Sequence, residues 1–244
     1  MSNRPVGEVI EAATTHFIAQ CLEVPRQDIP KLYDPPPFGA FIKIGRPPVA
    51  AEARIEVEPR IELEEDDPFA APQLDSSAAT GENLGPAVYA LVCAANTVSL
   101  EPNRRPSALG FEDEDEIRAR QPQIFELLRT EFSGLLLAHS VGDGKGLRRY
   151  LPPTPPRIHS RVYGCDPAEV RALTADLGFL RSLLAPVGGP LTAVPADELV
   201  AACLRHAREA QFDDQGFLLR AGRTLATLLS DDYDRLQAIL RNVI

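Results

Sequence analysis

Five cations fall between Lys145 and Arg161 with no acid among them: Lys145, Arg148, Arg149, Arg157 and Arg161. Tyr150 and His159 stand in the same stretch, and YLPPTPPRIHSRVYGC (150–165) adds four prolines. Cations on a proline-stiffened segment suit an anionic contact. Three chemistries stay open. The patch could pair internally with the chain's own acids. It could face a protein partner, since polyproline segments present Arg and Tyr at low entropic cost. It could also hold nucleic-acid phosphates, although only Tyr150 and Tyr163 offer aromatic platforms. The candidate contact residues are therefore Lys145, Arg148, Arg149, Tyr150, Arg157, His159 and Arg161.

A second cluster is EDEDE at 112–116. Asp113, Asp115 and Glu116 could serve a metal-dependent nuclease or another DNA-processing chemistry. Such sites, however, gather carboxylates from several rigid elements around one ion. Acids in a row at a helix start more simply complement the positive end of the helix. His16, His139, His159 and His206 lack the spaced acidic or cysteine partners of a triad or metal motif, and no G-x-S-x-G or H-E-x-x-H occurs. Cys21, Cys93, Cys165 and Cys203 form no C-x-x-C pair, so they read as buried reduced thiols. SVGDGKGLRR (140–149) is the nearest phrase to a phosphate loop. Lys145 is followed by Gly146 rather than Ser or Thr, so the Mg²⁺ ligand is missing. The expectation is a chain with no catalytic residues, no metal and no cofactor.

The 244 residues are 44% apolar and carry a net charge of −10. That suffices for a sizeable core, and the charge opposes a phosphate backbone wherever the basic patch does not override it. Without an apolar run of membrane-spanning length or a secretory leader, the chain reads as cytoplasmic.

The elements that would position these residues divide in two. PVGEVIEAATTHFIAQCLEV (5–24) is rich in Val, Ile, Thr and Phe, with a break near 13–15, and predicts two strands. FGAFIKIG (38–45) predicts a third, with Ile42 and Ile44 on one face and Phe41 and Lys43 on the other. Residues 46–86 break the pattern. AEARIEVEPRIELEEDDP holds eight acids against two arginines and reads as a solvated insertion, with Ile55, Val57, Ile61 and Leu63 able to make one hairpin. AVYALVCAANTVSL (87–100) is a strand buried on both faces, and a short strand is expected at 107–110. The acid-led helix at 111–121 should break at Pro122. Beyond it Ile124, Leu127, Leu128 and Phe132 fall at helical spacing, before a buried strand GLLLAHS (134–140). From Asp166 onward the pattern is helical. Asp166, Pro167 and Glu169 form an N-terminal signal, and Val170, Leu173, Leu177, Leu180 and Leu184 share a face. Further helices begin at Pro195, after Asp213-Asp214 and at Ser230-Asp231-Asp232.

This predicts an α+β chain: a small closed N-terminal β-barrel of about six strands with one inserted helix, then a C-terminal helical bundle. Closure is expected because it removes exposed strand edges. The expected divisions are a barrel at 1–149 with the acidic insertion at 46–86, a Pro/Arg-rich strap at 150–165, and the bundle at 166–244.

The phrases VGEVIEAATTHFIAQCLE, FGAFIKIG, VYALVCAANT, RRPSALG and GLLLAHS resemble the HAS-barrel. That is the small barrel at the N-termini of HerA-type DNA-translocating ATPases and of ATP synthase subunits. YLPPTPPRIHSRVYGC resembles the segment after the barrel in stand-alone forms. The resemblance spans residues 5–165. It implies an assembly and docking module, whose partner would be a HerA-type ATPase or a second copy of the chain. In such ATPases the nucleotide chemistry belongs to a separate domain, whose phosphate loop this chain lacks.

Overall fold

The computed structural model describes residues 4–22, 35–45, 87–101, 106–110, 113–121, 123–140, 146–185, 194–211 and 216–243. The acidic insertion at 46–86, Lys145 and Asp213-Asp214 lie outside them.

Strands β1 (Gly7–Ala12) and β2 (His16–Cys21) form an antiparallel hairpin. Its turn falls at Ala13–Thr15, where the Ala-Thr-Thr interruption predicts it. β3 (Phe41–Ile44), β4 (Val88–Ser99) and β5 (Leu128–Ser140) follow, with α1 (Glu114–Arg120) and α2 (Gln123–Glu126) between β4 and β5. A two-residue β6 (Leu147–Arg148) extends β5 on one edge. β7 (Arg161–Gly164) then returns between β1 and β3. The order β2-β1-β7-β3-β4-β5 closes through pairing of β2 with β5, giving a six-stranded antiparallel barrel.

The interior is packed solid. Val9, Phe17, Ile42, Ile44, Phe132, Leu136 and Val162 meet there, each 5% exposed or less. Phe17 and Phe132 cross edge-on with ring centres 6.2 Å apart. Gly134 makes room for this: a Cβ there would lie 2.3 Å from Phe17 Cε1, so the ring rests on bare backbone. Each such buried side chain is worth roughly 1.5–3 kcal/mol.

The helical half comprises α3 (Pro167–Thr174), α4 (Leu180–Leu184), α5 (Ala196–Ala210), α6 (Phe217–Leu228) and α7 (Tyr233–Val243). α5 is central and touches α3, α4, α6 and α7. The predicted start of α3 is present in full. Asp166 Oδ1 accepts from the Glu169 amide, and Glu169 Oε2 accepts from the Asp166 amide. The helices share one core with the outer wall of the barrel, where Phe41, Leu91, Leu135 and Leu137 meet Leu180, Leu199 and Leu204.

Four readings are corrected. The stripe Ile124, Leu127, Leu128 and Phe132 is not one helix face: β5 begins at Leu128, and Phe132 belongs to the barrel interior. A 13-residue strand that pairs β4 along its whole length outcompetes local helical spacing. Residues 106–110 are irregular rather than a strand. The apolar face 170–184 is split over α3 and α4, because Asp176 Oδ1 accepts from the Gly178 amide and turns the chain between them. Finally, the expected strap is not a connection outside the barrel, since its last part is β7, the strand that closes it.

Gly39 marks a close approach of the two halves. It has φ +80, its amide donates to Val92 O, and a Cβ would meet Ala202 Cβ at 2.6 Å and Cys203 N at 2.8 Å. Gly39→Ala combines left-handed strain with a backbone clash against α5. It is expected to destabilise the protein by about 2 kcal/mol or more, read as a lower urea midpoint at unchanged slope.

Candidate functional site

Lys43 points outward from β3, between neighbours that cover it from water. Its Nζ lies 2.5 Å from Glu169 Oε1, with side-chain exposures of 5% and 20%. Glu169 therefore serves two partners, its other oxygen closing the α3 cap. Lys43 pairs in register with Tyr89 of β4 on one side and Tyr163 of β7 on the other. Burial, then the negative charge of Glu169, raises the Tyr89 phenol from its ordinary 10 to about 12. The same surroundings push the Cys165 thiol well above its usual range, with burial the first cause. Burial alone does so at Cys203 and is the main cause of a rise to about 11 at Cys93. None of the four cysteines is in a disulfide, and at these three the reactive thiolate is strongly disfavoured. This cluster is a structural seam between barrel and helices.

The basic candidates are spread along the proline-rich crossing rather than gathered at one point. At its end, Arg161 Nη1 lies 2.6 Å from Glu8 Oε2 and His159 Nδ1 lies 2.7 Å from Glu8 Oε1. His159 adopts φ 67 and its amide donates to Val9 O. These two side chains therefore serve barrel closure, by pairing with an acid of β1 instead of the acidic helix. At the other end, Arg149 Nη2 donates to Ala172 O in the last turn of α3, at 2.6 Å. Tyr150 packs edge-on against buried His139, ring centres 5.1 Å apart, and the Tyr150 carbonyl accepts from His139 Nδ1. Pro152 and Pro156 are buried, so the crossing is anchored at both. Arg148 and Arg157 are exposed, and their side chains make no ion pair or hydrogen bond among the described residues.

Beside Arg149 and Tyr150 lies a groove of about 700 Å³. Its floor is Leu135 and Leu137 of β5, one wall is Phe179, Ser182 and Leu183 around α4, and the opposite lip is Arg149, Tyr150 and Leu151. Volumes of this order accommodate small ligands or a few anchoring side chains. Tyr150 and Leu151 are 61% and 44% exposed. Of the sequence candidates among the described residues, only Arg149 and Tyr150 line this groove. Leu135 belongs to a stretch that reads from sequence as a buried strand; only the packing of α4 beside β5 shows the gap that it borders with Phe179 and Leu183.

The acids proposed for metal chemistry have other work. Asp113 Oδ1 accepts from the Glu116 amide as the α1 cap, and Glu116 pairs with Arg120 one turn on. Asp115 is exposed on the same helix. Among the described residues, no three His, Cys, Asp or Glu side chains group closely enough to hold a metal ion. Also among them, no helix is long and apolar enough to cross a membrane.

No protein-family model matches the chain, and no curated protein does.

Two measurements probe the seam. Lys43→Met leaves the Glu169 carboxylate half-buried without its counter-charge and is expected to cost about 3 kcal/mol. Adding Glu169→Gln, which can still accept at the α3 cap, should recover much of that loss in urea unfolding. The Tyr89 shift has a definite sign. Its folded value lies above its unfolded one, so its contribution is intact below about pH 10 and is lost as pH rises towards about 12. Tyr89→Phe should flatten stability against pH in that window, and tyrosinate absorbance of the folded protein should lose its latest-titrating component.

Proposed function

We propose that this chain is a non-enzymatic assembly or adaptor protein, in which a HAS-type barrel mediates self-association or docking to a HerA-type ATPase. The observation that carries the reading is where apolar surface is buried and where it is left open. The barrel interior is filled by its own side chains, from Val9 to Val162, so the barrel offers contacts through its outside. Tyr150, Leu151 and Ile158 stand 44–61% exposed along a crossing held by two buried prolines. Exposed apolar and aromatic side chains on a pre-ordered segment favour a contact surface, because little entropy is lost on binding.

The barrel's topology supports the same reading. Closure removes the free edges through which small sheets pair indiscriminately, leaving side-chain surfaces to select the partner. The test is size-exclusion chromatography with light scattering, on the chain alone and mixed with a HerA-type ATPase. A defined oligomer, or co-elution with the ATPase ring, is expected. A strict monomer that binds no ATPase overturns the proposal.

A further inference from the structure

The groove between β5 and α4 differs from the rest of the surface in two respects. Its floor and one wall are aliphatic and aromatic, from Leu135, Leu137, Phe179 and Leu183, and among the described residues its one charged lining residue is Arg149. Arg148 precedes it on β6 and Arg181 lies on α4 beside Ser182, both exposed. Neither side chain makes an ion pair or hydrogen bond among the described residues. Asp176 is the acid nearest along the chain, and its Oδ1 is engaged by the Gly178 amide. A groove with apolar depth and a cationic lip therefore sits on a chain of net charge −10.

We propose that this groove docks an acidic segment of a partner protein, anchored by one or two aliphatic or aromatic side chains. The anchors would bury against Leu135, Leu137 and Leu183, and flanking Asp or Glu would meet Arg149, Arg148 and Arg181. Charge complementarity selects acidic over basic segments and speeds their approach. The lip selects a protein segment over a small amphiphile. Tyr150 and Leu151 stand 61% and 44% exposed beside the groove, where a ligand confined to it would leave them wet and a crossing peptide covers them. This inference rests on the reading that the chain works through protein contacts, but not on which protein it meets.

The test is selection of a displayed random twelve-residue peptide library against the full chain, with affinities then measured for the enriched peptides. Enriched sequences should combine Asp or Glu with Leu, Ile, Val or Phe. Ser182→Trp, at an exposed position that fills the groove, should weaken them at least tenfold. Arg148→Glu, at a side chain with no ion pair or hydrogen bond among the described residues, should weaken them at least threefold, with more loss at low salt than at high. Unchanged circular dichroism and melting temperature of both variants certify the fold. The proposal is overturned if no peptide is enriched, if those enriched are basic or uncharged, or if both variants bind them unchanged. Binding of dodecanoate that Ser182→Trp abolishes, without peptide enrichment, would assign the groove to a small amphiphile instead. A synthetic peptide of the chain's own residues 52–67 that outcompetes every selected one would assign it to the chain itself. A chain that co-elutes with no ATPase but passes this selection loses only the named partner; the reverse result loses only the groove.

Discussion

Phe41, Leu91, Leu135 and Leu137 turn outward from a barrel whose interior is already full. An apolar outer wall cannot face water cheaply, at roughly 25 cal/mol for each Å² exposed, so it must be covered. α3, α4 and α5 cover it, and they in turn find part of their own core there. The first half of β4 and the Leu135–Ala138 stretch of β5 are therefore apolar on both faces, as buried strands are, although their sheet is antiparallel. Neither half is complete alone: the bundle without the wall would expose Leu180, Leu199 and Leu204, and the wall without the bundle would be a sticky face.

At the edge of that shared core a charge pair replaces apolar packing. Lys43 and Glu169 give up most of their hydration to meet at 2.5 Å. Buried pairs seldom add much net stability over a hydrophobic alternative. What this one adds is direction, because Glu169 also belongs to the α3 cap. The first turn of the helix is thereby tied to one residue of β3, and α3 cannot slide along the wall without stranding a lysine. Tyr89 and Cys165 take their raised pKa values from burial first and from the same carboxylate second.

The parts of this architecture written in local pattern were legible in the sequence. The β1–β2 hairpin, the two-sided burial of the first half of β4 (Ala95, Asn96 and Thr97 in its second half are exposed) and the Asp166–Glu169 capping box each declare themselves within a few residues. Misreadings arose where distant partners decide. Leu128 and Phe132 keep helical spacing with Ile124, yet pairing with β4 draws them into a strand. Nothing near Arg161 announces a barrel strand, since Glu8, the partner of Arg161, and Ile44, the partner of Val162, lie more than a hundred residues upstream. The same limit applied to the candidate surface. A run of cations is visible in one dimension, but whether Arg161 is free or held by Glu8 depends on β1, and the groove beside Arg149 exists only where α4 meets β5.

The late arrival of β7 has a consequence for synthesis. While the ribosome makes the first 160 residues, β1 and β3 have no neighbour on their facing sides, and the barrel stays an open sheet. Only when residues 161–164 emerge can the gap be filled, through contacts of very high sequence separation, which form slowly. An open sheet with two bare edges is a template for unwanted pairing between nascent chains. Production of this protein is thus most vulnerable in that interval, and a chain cut short before Val162 is at greater risk of aggregation than one missing its last helix.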